Sequence, residues 1–191
     1  MPTLLVIIAS TRPGRVGLPV GRWFQQFARQ HGAFDVRVAD LLELNLPMMD
    51  EPKHPRFGDY QNPHTKQWSQ IVDAADAVVL VMPEYNYAMT APLKNALDYL
   101  SREWQYKPVG LVSYGGASGG LRAQQMVKLV VTTLKMMPVP ESVSIPFVAN
   151  YIKEGALEPT DFMIQSAQAM LDEMARWEEA LRSLRASTRH S

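Results

Sequence analysis

Apolar runs of strand length alternate along the chain with segments in which apolar residues recur at helical spacing. The runs Thr3–Ala9 and Ala77–Met82 are apolar throughout, which is typical of strands covered on both faces of a sheet. Asp35–Asp40 alternates apolar and polar positions and predicts a more exposed strand. Two more strands are predicted at Val109–Tyr114 and around Ser142–Ile145.

Helical spacing of apolar residues follows the first, third and fourth predicted strands. Helices are predicted from about Leu18, over Pro92–Trp104 and over Leu121–Met136, and a longer one over Met170–Leu184 closes the chain. Strands that alternate with helices imply an open parallel sheet with helices on both faces. Five strands favour the flavodoxin-like order 2-1-3-4-5, an α/β three-layer sandwich.

Composition narrows the class of protein. The 191 residues suit one domain, expected over residues 1–184, with a polar and disordered tail at 185–191. Because 19 basic residues balance 19 acidic ones, a nucleic-acid partner bound through a basic face is disfavoured. The chain has no cysteine, which excludes disulfides, thiolate nucleophiles and sulfur-ligated metals. With neither a signal peptide nor an apolar run of about 20 residues, we expect a cytoplasmic protein without a membrane segment.

Ligands of open parallel sheets bind beyond the carboxyl ends of the strands, so we expect a functional site at the loops there. The first loop, Ser10–Gly17, combines hydroxyl groups, Arg12, Arg15 and the free amides of a helix N-terminus, which together favour a phosphate. It matches neither the Walker loop nor GxGxxG, so a small phosphate monoester is favoured over a nucleoside triphosphate or a dinucleotide. A solvated turn with a capping serine would account for the same composition.

Two further loops are unusual. The second loop, Pro83–Tyr87, is rich in aromatic residues and can offer backbone amides to a planar heterocycle, although a surface proline turn is the alternative. Glu84 has no neighbouring histidine or nucleophile in sequence that would favour a general-base role. The third loop, Ser113–Arg122, contains four glycines that allow close approach to a ligand, although a flexible connection would explain them equally well.

Four motifs resemble the NADPH-dependent FMN reductases, a family of flavodoxin-like flavoproteins that includes quinone, chromate and azo-dye reductases. They are Ser-x-Arg-x-x-Arg after the first strand, Pro-Glu-Tyr-Asn-Tyr after the third, Leu-Lys-Asn-Ala-Leu-Asp-Tyr-Leu in the next helix and Ser-Tyr-Gly-Gly-x-x-Gly-Gly-x-Arg after the fourth. The resemblance runs in order from Leu4 to about Phe147. Ala9 departs from it, because the family usually has glycine there.

The resemblance implies a cofactor site for FMN built from all three loops. The FMN phosphate would be held by Ser10, Arg12 and the amides of Arg15, Val16 and Gly17. One side of the isoalloxazine ring would be lined by Pro83, Glu84, Tyr85 and Asn86, mainly through main-chain groups. The other edge would be covered by Ser113, Tyr114, Gly115 and Gly116. No catalytic side chain and no metal ligand is implied.

The implied activity is an NAD(P)H oxidoreductase that passes electrons from NADPH or NADH through FMN to a quinone, an azo compound, a metal oxyanion or free flavin. An electron carrier of the flavodoxin type without nicotinamide activity is the alternative, disfavoured because such carriers are usually acidic. A phosphate-binding or regulatory domain without a redox role is a third possibility.

A homodimer or a dimer of dimers is also expected. The helix predicted over Pro92–Trp104 carries Tyr99 and Trp104 beside its apolar face, which predicts a symmetric interface. Asn45–Thr65 lacks a clear period, which is typical of a functional or interfacial segment. The resemblance implies that this segment lies near the partner subunit at the mouth of the site. Its histidines, His54 and His64, lack companions at metal-ligand spacing and are expected on the surface.

Overall fold

The structure, a computed structural model, describes residues 1–188. Within that range five parallel strands form one sheet in the order β2-β1-β3-β4-β5, which confirms the predicted α/β topology. The strands are β1 (Thr3–Ile8), β2 (Asp35–Asp40), β3 (Ala77–Pro83), β4 (Pro108–Tyr114) and β5 (Met137–Ile145). β3 and β4 are buried throughout, and for β3 the unbroken apolar run predicts this burial.

Helices cover both faces of this sheet. They are α1 (Gly17–His31), α2 (Leu41–Leu44), α3 (Pro63–Asp73), α4 (Ala91–Asp98), α5 (Leu121–Thr133) and α6 (Asp161–Thr188). On one face, Leu5 and Leu80 belong to the same core cluster as residues of α3, α4 and α5. On the other face, Leu4 and Val79 pack with Phe24 of α1 and Met170 of α6. Alternate residues of each strand therefore serve opposite cores.

Two short strands, β6 (Ile152–Lys153) and β7 (Ala156–Leu157), pair antiparallel ahead of α6. Among residues 1–188, no helix combines the length and the apolar content that crossing a bilayer requires.

Several element boundaries differ from the sequence prediction, and not every helix was predicted. α6 begins at Asp161 instead of Met170. β5 begins at Met137 instead of Ser142. The sequence prediction started too late because two prolines in this stretch argue against a strand. β5 lies at the edge of the sheet, where a missing N–H need not break the ladder. α5 stops at Thr133 instead of Met136, and Lys135 takes a left-handed conformation with φ 59°. α3 was not predicted, although Trp68 and Val72 on one face are completely buried.

The C-terminal tail prediction is wrong for residues 185–188, and residues 189–191 lie outside the described part of the chain. α6 continues to Thr188. Arg185 is buried in it, forms an ion pair with Glu178 and donates a hydrogen bond to the Tyr106 carbonyl at 3.1 Å. The polar composition of residues 185–191 predicted a disordered tail, whereas the buried ion pair of Arg185 anchors an additional turn of α6.

The grounds for the predicted dimer interface are also wrong. The helix ends at Asp98, and both Tyr99 and Trp104 are fully buried inside this chain. The indole of Trp104 donates to the Leu97 carbonyl at 3.1 Å and meets Trp68 edge to face. Tyr99 and Trp104 thus pack in the core of this chain and are not available to a partner.

The segment between α2 and α3 is held by side chains of α4 and its end. Asn95 accepts from the Met49 amide at 3.0 Å and donates to the Pro47 carbonyl at 2.7 Å. The Tyr99 hydroxyl donates to Asp50 at 2.9 Å, and His64 contacts the same carboxylate at 2.9 Å. The segment for which the sequence shows no clear period is therefore held by hydrogen bonds to the buried side chains of Asn95 and Tyr99.

Candidate functional site

The carboxyl ends of β1, β3 and β4 bring the three loops around one cleft with a volume of about 150 Å³. Its walls contain most of the predicted site residues and one residue that the sequence did not indicate, Val148. The predicted residues on the walls are Ser10, Arg12, Arg15, Val16, Pro83, Glu84, Tyr85, Tyr114 and Gly115. Gly17, Asn86, Ser113 and Gly116 belong to the same loops without lining the cleft.

Two buried hydroxyl groups converge on the start of α1. The Ser10 Oγ and the Tyr114 hydroxyl oxygen are both shielded from solvent, and neither makes a well-formed hydrogen bond with residues 1–188. A Cβ atom at Gly17 would lie 2.1 Å from the former and 2.2 Å from the latter, so only glycine fits here. Burial raises the pKa of the Tyr114 phenol above its ordinary value, against the effect of the Ser10 hydroxyl beside it. Tyr114 is therefore a neutral donor at physiological pH.

The N-terminus of α1 supplies further donors. Val16 precedes the helix without a side-chain cap, and no hydrogen bond within residues 1–188 engages the amides of Val16, Gly17 or Leu18. Arg12 is exposed on the cleft wall, and its guanidinium has no ion-pair partner in the described chain. Unpaired amides, two hydroxyls and one cation at a helix N-terminus form a site for an anion with several acceptor oxygens.

Arg15 has a different role from the one that the resemblance implied. Its guanidinium forms two bonds of 2.5 Å with the Asp40 carboxylate and donates to the Ser10 carbonyl at 2.6 Å, while its amide donates to the Arg12 carbonyl. The hydrogen bond with Asp40 raises the pKa of Arg15. Arg15 thus fixes the first loop to the end of β2, and neither its amide nor its neutralised side chain is free for a phosphate.

Sequence reasoning missed Asp40, although its position offered a signal. Asp40 is the last residue of β2, the strand beside β1, and is mostly buried. An acidic residue at that strand end lies next to the basic first loop by topology alone. Its carboxylate also caps α2 by accepting from the Leu42 amide at 3.0 Å.

The second loop forms a tight turn at the cleft. Tyr85 and Ala88 exchange backbone hydrogen bonds of 3.0 and 2.9 Å, and the two residues between them, Asn86 and Tyr87, have φ values of 51° and 68°. Left-handed residues at both central positions define a type I′ turn, which is unfavourable for a tyrosine. The amides of Asn86 and Tyr87 make no hydrogen bond within residues 1–188.

The hydrogen bonds of the Glu84 side chain argue against a role as a general base. Its carboxylate accepts from the Arg122 amide at 3.0 Å and from the Arg122 guanidinium at 2.8 Å. Desolvation raises the pKa of Glu84, but hydrogen bonds from Arg122, the Ser118 side chain and the Ala123 amide together hold the pKa below its ordinary value. Glu84 is thus an ionised carboxylate that caps α5.

The third loop is anchored from beneath. Contrary to the expectation from the resemblance, Ser113 is completely buried, and its hydroxyl donates to the Gly119 carbonyl at 2.7 Å and accepts from Gln124 at 2.8 Å. Gly119 has φ 59°, and a Cβ there would lie 2.9 Å from Ser144. Gly116 has open space around it, and its amide makes no hydrogen bond in the described chain. The front of this loop therefore offers backbone to a ligand while its rear is fixed.

A larger cavity of about 340 Å³ lies on the other side of the first loop. It shares Thr11 with that loop and is otherwise walled mainly by apolar side chains of Leu41, Leu42, Leu46, Met48, Ala91 and Pro92. Asn45 and Asn95 also line this cavity. The cleft between the three loops brings together Arg12, Glu84 and the unpaired hydroxyls of Ser10 and Tyr114, so it is the better candidate for the site.

Comparison with known proteins identifies the family. The family profile of the NADPH-dependent FMN reductases matches residues 2–150. An NAD(P)H-dependent FMN reductase of Schizosaccharomyces pombe is 38% identical over 160 residues, which are 83% of this chain and 80% of the relative. An NADPH azoreductase of Bacillus sp. (strain OY1-2) is 37% identical over 112 residues, covering 58% of this chain and 61% of the relative.

Among solved structures, the flavoenzyme FerB of Paracoccus denitrificans, an NAD(P)H:(acceptor) oxidoreductase, superposes with a TM-score of 0.74. The match covers 94% of this chain and 98% of FerB at 21% identity, so it bears on the fold alone. Since the matched residues 2–150 include all five strands of the sheet and the three loops around the cleft, the chain belongs to the NADPH-dependent FMN reductase family.

Proposed function

We propose that the cleft binds FMN, with the phosphate at the N-terminus of α1 and the isoalloxazine ring between the second and third loops. The observation that carries this placement is the pair of buried, unsatisfied hydroxyls of Ser10 and Tyr114 above Gly17. Buried polar groups normally have partners, so two orphans on one side of a helix N-terminus are best explained by a ligand. Bound FMN supplies the acceptor for a hydride from NADPH or NADH.

The phosphate contacts follow from the free donors. Ser10 and Tyr114 donate their hydroxyl protons, and Val16 and Gly17 donate their backbone amides. Arg12 adds a positive charge from the open side of the cleft. Charge-assisted hydrogen bonds to buried donors are the strongest contacts available to a phosphate dianion, so this corner dominates cofactor affinity.

The ring contacts are mainly backbone. Pro83, Glu84 and Tyr85 form one wall, Gly115 forms the opposite wall, and the free amides of Asn86 and Gly116 are available to polar atoms of the ring. Because the Glu84 carboxylate is bonded to Arg122, we assign it no role in proton transfer. The protein's task in this proposal is to position the two reactants.

The acceptor side of the proposal concerns small molecules. The azoreductase relative supports planar acceptors such as azo compounds, and the exposed faces of Tyr85 and Tyr87 provide aromatic surface near the cleft. A cytoplasmic location stays a prediction. Self-association into a homodimer also stays a prediction, but Tyr99 and Trp104 no longer support it. Light scattering at micromolar protein concentration tests it.

Anaerobic titration of the FMN-loaded protein tests the proposal. The purified protein should take up FMN stoichiometrically, and NADPH or NADH should bleach the oxidised flavin absorbance without any other protein. Uptake of FMN without bleaching by either nicotinamide would support an electron carrier instead. Protein that takes up no FMN would refute the placement of the cofactor.

The Arg15–Asp40 pair gives a prediction about this site. Asp40→Asn removes the charge that holds Arg15, so the first loop should loosen and FMN affinity should fall by about tenfold, as expected for losing one buried charged contact. Fluorescence titration of FMN measures this loss. Asp35→Asn is the control, because Asp35 lies at the other end of β2 and its ion pair with Arg37 is exposed. Equal effects of the two substitutions would contradict the assigned role of Asp40.

A further inference from the structure

We propose that Arg122 is a positioning residue for the flavin ring, because its side chain ties the strained turn of the second loop to the start of α5. The inference deepens the proposed function and rests on it. It goes beyond the loop motifs by assigning a task to a side chain, Arg122, that lies outside the cleft wall.

The first part of the tie joins Glu84 to α5. The Glu84 side chain is nearly buried, and its two oxygens accept separately from the backbone amide and the guanidinium of Arg122. Gly120 precedes α5 in a left-handed conformation and supplies no side-chain cap. The carboxylate of the second loop therefore takes the place of a cap for the helix that follows the third loop.

The second part of the tie joins Arg122 to Tyr87. The guanidinium carbon of Arg122 lies 4.2 Å from the centre of the Tyr87 ring, which is a cation–π distance. Because Glu84 fixes the guanidinium from one side, Arg122 is held in place for this stacking contact. Even with Arg122 in place Tyr87 exposes 69% of its surface, so Arg122 provides the main restraint on its side chain that the structure shows.

The restraint matters because the turn is strained. Two consecutive residues with Cβ atoms, Asn86 and Tyr87, occupy the left-handed region, which a chain adopts only where other contacts enforce it. The turn presents two unpaired amides at the rim of the cleft, beside the ring wall formed by Tyr85. Without the Glu84–Arg122–Tyr87 tie, the turn is free to relax and the amides lose their fixed direction.

Binding of FMN and of riboflavin to the same variants separates the ring from the phosphate. Arg122→Ala and Tyr87→Ala should each weaken both flavins by about tenfold and leave the ratio of the two affinities unchanged, since riboflavin lacks the phosphate. The double variant should be no weaker than Arg122→Ala alone, because the contact that Tyr87→Ala removes is already absent in Arg122→Ala. Tyr87→Phe should retain wild-type affinity, since it keeps the ring face. Gln125→Ala, on the exposed side of α5, is the control.

Hydrogen exchange on the FMN-free protein tests the restraint itself. Exchange of the Tyr85 and Ala88 amides, whose hydrogen bonds close the turn, should accelerate about tenfold in Arg122→Ala and Tyr87→Ala but not in Tyr87→Phe. Unchanged exchange, additive losses in the double variant, or a Tyr87→Phe variant as weak as Tyr87→Ala would overturn the positioning role. If the wild-type protein bound neither flavin, the proposed function would fail as well. Wild-type binding with unaffected Arg122→Ala affinity would refute the positioning role alone.

Discussion

Replacing Gly17 by alanine is expected to lower the affinity for FMN by about 100-fold, the combined value of two hydrogen bonds to a charged group. The added methyl would lie 2.1 Å from the Ser10 Oγ and 2.2 Å from the Tyr114 hydroxyl oxygen. Both contacts are far shorter than van der Waals separation, so both hydroxyls must move away from the phosphate position. Calorimetric titration of the FMN-free protein measures the loss.

Riboflavin provides the internal control for this substitution. Because it lacks the phosphate, its affinity should stay close to the wild-type value in Gly17→Ala. Alanine favours the helix, and Gln26→Ala on the exposed face of α1 controls for that effect. Equal weakening of riboflavin and FMN would show that the substitution disturbs the whole cleft. Unchanged FMN affinity would contradict the placement of the phosphate at Gly17.

Replacing Glu178 by alanine is expected to destabilise the fold by about 3 kcal/mol, because it leaves the buried Arg185 guanidinium without its main partner. The side chains of Glu178 and Arg185 are 3% and 5% exposed, so water cannot take over the lost contact. For a chain of this size that loss corresponds to a fall in Tm of roughly 6–12 °C. Differential scanning calorimetry measures it.

Arg182 offers a matched control for this ion pair. It bonds the same Glu178 carboxylate, but its side chain is 62% exposed. Arg182→Ala should therefore cost less than about 1 kcal/mol, as exposed pairs usually do. If Arg182→Ala lowered Tm as much as Glu178→Ala, the buried half of the network would not be what anchors the end of α6.

The sheet and the location of the cleft could be predicted from sequence because they follow from short-range patterns. Buried parallel strands are continuous apolar runs, and strand order places the loops after β1, β3 and β4 at one edge. The three loops do surround one cleft, as this rule requires.

The roles of individual side chains were harder to predict, because they depend on partners far away in sequence. Arg15 and Asp40 are 25 residues apart. From the sequence alone, an arginine in a loop that resembles a phosphate-binding loop gives the same signal whether it binds a ligand or pairs with a carboxylate. Ser113 lies one residue before the end of β4, and its hydroxyl bonds to the Gly119 carbonyl and to Gln124 instead of facing the cleft. Residues near Arg185 looked like a frayed tail because Glu178, seven positions earlier, is invisible as a partner until the helix packs.

A structure of the protein with FMN bound tests the central claim most directly. We expect the phosphate within hydrogen-bonding distance of the Ser10 Oγ, the Tyr114 hydroxyl and the amides of Val16 and Gly17, with Arg15 still paired to Asp40. A phosphate placed elsewhere, such as in the larger cavity beside Leu41 and Met48, would contradict it.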